Sequence, residues 1–137
     1  MKSYKYMRME HFERLVEEAL EELPSEVKGK MENVAVCLED LPDEETLEEE
    51  GFYEKELLLG IYQGVPQGAW GRGFGDNLPD KITIFKSSIE RVSRSDEEVK
   101  STIKRTVYHE IAHHFGFNEE EARKMEKTFY EEYRDNK

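Results

Sequence analysis

The sequence predicts an α+β domain: a small mixed sheet of three to four strands with helices packed on it. Three observations carry this. Apolar residues recur at threes and fours from His11 to Leu23, and every four residues from Val99 to Phe115, which marks two amphipathic helices. Between them lie three short apolar segments, 33–38, 57–62 and 82–85, the first and third rich in β-branched residues. No repeat, low-complexity stretch or linker divides the 137 residues, so residues 1–137 read as a single domain.

In the first helix, Phe12, Leu15, Val16, Ala19, Leu20 and Leu23 form one apolar stripe. Pro24 ends it or starts a short second turn. His11, beside Phe12, reads as a surface histidine rather than a remote metal ligand. Asn33 to Leu38 reads as a buried strand, with Cys37 an ordinary buried thiol. Leu41-Pro42-Asp43 breaks that strand. The acidic run Glu44 to Glu50 forms a short helix or a solvated loop, and a solvated face is expected rather than a site for basic partners.

Leu57 to Tyr62 is the second strand. Five glycines between Gly64 and Pro79 then favour an irregular loop, in which Trp70 and Phe74 serve as a substrate lip or as core anchors. The loop is no phosphate loop, since no Gly-Lys-Ser/Thr follows. Ile82 to Phe85 is the third strand. Ser95 with Glu98 three residues on is a capping box that opens the long helix near the C-terminus. Val99, Ile103, Val107, Ile111 and Phe115 are its core stripe. Asn118 with Glu121 opens a last helix, whose apolar face is Ala122, Met125, Phe129 and Tyr133. Met125 therefore belongs to core packing.

The long helix carries His109-Glu110-Ile111-Ala112-His113-His114-Phe115-Gly116-Phe117-Asn118-Glu119. Residues four apart on a helix lie about 40° apart, one turn up the same face. His109 and His113 can therefore offer two imidazole nitrogens to one Zn²⁺ ion. Glu110 sits about 100° round from His109 and reaches a water on the metal instead, the position of a general base. Both histidines fall to one side of the core stripe, as a cleft site requires. His114 falls between Ile103 and Val107 in angle, so it is expected on the core side, buried and hydrogen-bonded. If the helix ends near Phe115, Gly116 can take a left-handed turn that brings Glu119 back as a third ligand. Two rivals stay open: Glu120 or water fills that position, and Glu119 is simply a first-turn carboxylate favoured by the helix dipole.

With 38% charged residues and a formal net charge of −12, the surface disfavours nucleic acid and anionic membranes as partners, and attracts basic peptides. No apolar run approaches about 18 residues, so no membrane span is expected. Met1 to Tyr6 lacks the apolar stretch of a signal peptide. Cys37 is the single cysteine, which fits a reducing, cytoplasmic setting. A monomer is expected.

The extended H-E-x-x-H-x-x-G-x-x-E motif is similar to the metzincin pattern, with an acidic residue in place of the third histidine. Together with Gly60-Ile61-Tyr62-Gln63-Gly64-Val65-Pro66 and Leu78-Pro79-Asp80-Lys81-Ile82-Thr83-Ile84-Phe85, it more closely resembles the small, single-domain bacterial zincin-like metallopeptidases, the minimal zincins. The resemblance spans roughly residues 33 to 121. It departs at position 119, where that family carries Asp more often than Glu. It implies a zincin-like domain and Zn²⁺ as cofactor, with His109, His113 and Glu119 as ligands. It also implies a peptide or protein substrate, with a substrate strand laid along the free edge of the sheet.

The expected function is peptide-bond hydrolysis by a zinc-activated water, with Glu110 as general base. Tyr62 and Tyr108 are candidate oxyanion donors. Tyr108 is discounted because it points away from the face of His113. The alternative is a non-catalytic metal-binding or protein-interaction module on the same scaffold. A structural zinc site normally closes with four protein ligands, and only three are visible here.

Overall fold

The computed structural model describes residues 7–51, 58–64, 79–116, 120, 121, 123, 124 and 127. Its elements run α1 (Met9–Glu21), α2 (Ser25–Lys30), β1 (Val34–Glu39), α3 (Glu44–Glu50), β2 (Gly60–Gln63), β3 (Asp80–Phe85), α4 (Lys86–Arg91) and α5 (Asp96–Phe115). The fold is a small α+β domain around a mixed three-stranded sheet of order β1-β3-β2. β3 pairs parallel with β1 and antiparallel with β2.

β3 is central and paired along both edges, and from Ile82 to Phe85 its side chains are buried on both faces. Ile82 and Ile84 join the main core with Phe12, Leu15, Val16 and Ala19 of α1 and Val99, Ile103, Val107 and Ile111 of α5. Phe85 packs on the opposite side with Leu47 of α3, Leu58 and Ile61. The two long helices thus cover one face of the sheet and the short acidic helix serves the other. The period of two along a strand divides these sets.

α3 settles the open reading of the acidic run. Asp43 caps it, its carboxylate accepting from the Thr46 N–H at 2.8 Å, and Gly51 ends it in the left-handed conformation at φ 77°. At the other end of the chain, Ser95 Oγ accepts from the Glu98 N–H at 3.1 Å, as the capping box predicts. The Glu98 carboxylate reaches back to the N–H of Arg94, at 2.9 Å, rather than to that of Ser95.

Several expectations are corrected. The first strand is half-buried, Cys37 included, because among the described residues β1 lies at the edge of the sheet, with a strand neighbour on one side only. The second strand begins at Gly60, not at Leu57; Leu58 and Leu59 precede it, and Leu57 lies outside the described residues. Pro24 starts a short second helix, α2, the second of its two alternatives, whereas the six-residue α4 is an addition, since fewer than two turns leave too little periodicity to register. His11 does not stand alone on the surface. Its Nε2 lies 3.0 Å from Asp96 at the start of α5 and so ties α1 to that helix.

Further along the same contact, Lys100 reaches Glu18 and Glu22 at 3.3 and 3.2 Å, and Lys104 reaches Glu22 at 2.8 Å. Lys104 is the main cause holding the Glu22 carboxyl below its ordinary range. Gly60 lets β2 approach α5 closely. A Cβ there would stand 2.8 Å from Thr106 Cγ2 and 3.0 Å from the Thr83 carbonyl. No helix among the described residues is long and apolar enough to cross a membrane.

Trp70, Phe74, Phe117, Asn118, Glu119, Ala122, Met125, Phe129 and Tyr133 lie outside the described residues. The substrate-lip, last-helix cap and apolar-face expectations rest on them. Residues 120, 121, 123, 124 and 127 are helical.

Candidate metal centre

α5 anchors the site through its opposite side. Val99, Ile103, Val107 and Ile111 are fully buried, which leaves the next face of the helix to the cleft. His109, Glu110 and His113 all line one cleft of about 450 Å³, together with Glu50, Tyr62 and His114. The two histidines predicted as ligands are exposed, and Glu110 is half-buried.

Glu110 is held from the sheet. Its Oε1 accepts a hydrogen bond from the main-chain N–H of Tyr62 at 2.8 Å. Among the described residues β2 lies at the edge of the sheet, and this N–H is turned to α5 rather than to β3. The same tyrosine makes three further contacts. Its hydroxyl donates to Asp80 on β3. Its ring stacks on His114, with centroids 4.2 Å apart and planes 21° from parallel. Phe115 meets the ring edge-on at 5.7 Å. Burial first, and then the bond to Asp80 and the charge of that carboxylate, push the Tyr62 phenol up to about 12. Tyr62 is therefore protonated at neutral pH. Its hydroxyl is committed to Asp80, so an oxyanion role would require it to leave that partner. Tyr108 is nearly buried and packs in the main core, as its discounting anticipated.

His114 and Phe115 correct the sequence reading. Both are exposed, with Phe115 at 46%, although the helical angle assigned both to the core side. Ile111 is the last fully buried residue of α5. Beyond it, among the described residues, the two side chains meet the core only at its margin, through the ring of Tyr62. His114 consequently packs on Tyr62 in the cleft rather than in the interior. His114→Ala is expected to lower stability by only about 1 kcal/mol, the scale of one aromatic contact, in thermal unfolding. A loss of several kcal/mol would show that this histidine is structural.

The helix ends at Phe115 as expected, but Gly116, with φ 73° and ψ 163°, is extended in ψ and does not take the left-handed turn expected of it. Positive φ with extended ψ belongs essentially to glycine. The residues that follow, 117–119, lie outside the described residues, and with them Glu119, the expected third ligand. Glu120 is helical and exposed, and is not part of the described cleft lining. Among the described residues no three His, Cys, Asp or Glu side chains form a group able to hold a metal ion. The donors present nonetheless suit zinc. Two exposed imidazoles one helical turn apart share a cleft, while the carboxylate between them in sequence is held by a backbone N–H from the strand.

Three features were not legible in the sequence. The bond from Tyr62 to Glu110 comes from the main chain, and no residue type signals it. Glu50 looked like one more carboxylate on a solvated face. Asp80 belongs to the Leu78-Pro79-Asp80 motif, and that motif is the sequence signal nearest to its partnership with Tyr62.

The family model of the zincin-like metallopeptidases matches residues 31–128. Among solved structures, the chain is similar to a conserved hypothetical protein from Thermo thermophilus. The two share 26% identity over 78% of this chain and 92% of the other, with a TM-score of 0.49. No curated protein matches. The matched segment takes in the whole sheet, the motif helix and every residue of the cleft, and so the chain belongs to the zincin-like metallopeptidase family.

Proposed function

We propose that this protein is a zinc-dependent peptidase that acts as a monomer on peptide or protein substrates. The observation that carries the reading is the state of Glu110. It shares a cleft with His109 and His113, yet its carboxylate is oriented from β2 by the Tyr62 N–H. This supports Glu110 as a base beside the metal rather than a ligand on it.

His109 and His113 would hold the ion, with Glu119 as third ligand on the strength of the family motif. Zinc, when bound, supplies a Lewis acid that polarises the scissile carbonyl and makes water a competent nucleophile near neutral pH. Glu110 uses one oxygen to accept from Tyr62, which leaves the other to take the proton of the attacking water and pass it to the departing amine. The edge of β2 beside the cleft provides backbone groups against which an extended substrate can pair. The lone cysteine, Cys37, fits a reducing, cytoplasmic setting.

The test pairs two measurements on protein purified without exposure to affinity metal. Elemental analysis should find about one zinc per chain. A mixed peptide library should be cleaved, with cleavage lost on chelation and restored by zinc. Bound zinc with no peptide cut across the library would favour the non-catalytic module instead. Absence of zinc would remove the peptidase and metal-binding readings and leave a protein-interaction module.

A further inference from the structure

Glu50 is the last residue of α3, and its side chain lines the same cleft as His109, Glu110 and His113. The described lining holds no lysine or arginine: the other members are Tyr62 and His114. Glu50 is exposed, and no described residue hydrogen-bonds or ion-pairs with it. Its helix has no basic residue in its last turn, so nothing on α3 offsets the charge there. Nor does Glu50 complete a metal-holding group with the histidines among the described residues. A single carboxylate is also a poor site for a second hard cation, since calcium takes six to eight oxygens. What remains is a negative charge facing the cleft from the wall formed by α3, on a chain of formal net charge −12.

We propose that Glu50 is a specificity-determining residue, which favours substrates with a lysine or arginine close to the scissile bond. The inference rests on the peptidase reading above and deepens it. A peptide whose carbonyl lies beside Glu110 shares this one cleft with Glu50, so a long cationic side chain near that carbonyl can pair with the carboxylate. The pair would be solvent-exposed, so the preference is modest and sensitive to salt.

The experiment uses positional-scanning hexapeptide mixtures in which one position is fixed as lysine or as norleucine, its uncharged counterpart. With zinc-loaded wild type, lysine should exceed norleucine in kcat/KM by roughly fivefold at one position, and less at high salt. In Glu50→Gln the ratio should fall to near one while zinc affinity is retained, and Glu50→Lys should turn the preference towards glutamate. An unchanged ratio in Glu50→Gln overturns the proposal. So does loss of zinc from that variant, which would make Glu50 a ligand.

A second arm does not depend on turnover. Fluorescein-labelled versions of the same mixtures are titrated against Glu110→Gln and followed by anisotropy. Tighter binding of the lysine mixture, abolished by adding Glu50→Gln, supports the role of Glu50 even if wild type cleaves nothing and the peptidase reading fails. Equal binding of the two mixtures overturns it.

Discussion

Replacing His109 and His113 together by alanine is expected to reduce zinc binding from about one ion per chain to none detectable by calorimetry. Both imidazoles are exposed in the cleft, so their removal leaves no cavity in the core and the metal-free fold should keep its stability within about 0.5 kcal/mol. The effect should therefore appear only when metal is present. A ligand that binds the folded state alone, at about 100 times its dissociation constant, stabilises that state by about 2.7 kcal/mol. Wild type should show an upward shift of this kind in thermal unfolding on zinc addition, and the double variant should show none. Unchanged zinc stoichiometry in the variant would dismantle the metal centre, and with it every statement about the chemistry of Glu110.

Glu110→Gln should lower turnover by a factor of roughly 10² or more while zinc stays bound. The amide is chosen for a structural reason. The carbonyl oxygen of a glutamine side chain can accept the same 2.8 Å hydrogen bond from Tyr62, so the link between β2 and α5 survives. Alanine would instead leave that N–H without its partner and confuse a lost base with a shifted strand. What the amide lacks is the capacity to take a proton. The comparison must be made at equal zinc loading, on whichever peptide wild type cleaves best. Undiminished cleavage by the zinc-loaded variant would rule out Glu110 as the base.

The helix that carries the site was legible residue by residue. The burial of Val99, Ile103, Val107 and Ile111 follows from their spacing, and the Ser95 cap from its place before that spacing begins. The same reasoning failed at His114 and Phe115, which lean on the Tyr62 ring at the margin of the core and stay exposed. Periodicity gives the direction in which a side chain leaves its helix. It carries no information on how far the opposing layer extends. The half-buried state of Cys37 has a similar origin, since an apolar strand reads alike at the edge and at the centre of a sheet.

The sequence by itself determined the α+β class, the three strands, the motif helix and the pairing of His109 with His113 on one face beside Glu110. These follow from local rules, because they depend on residues within a few turns or a few pleats of one another. Only the tertiary structure decided that the Tyr62 main-chain N–H holds Glu110, that the Tyr62 ring covers His114, and that Glu50 shares their cleft. The first of these joins residues 48 positions apart, and a backbone donor is the same in every residue but proline. Which strand edge, and which end of a short acidic helix, comes to face the histidines is settled by how the layers pack.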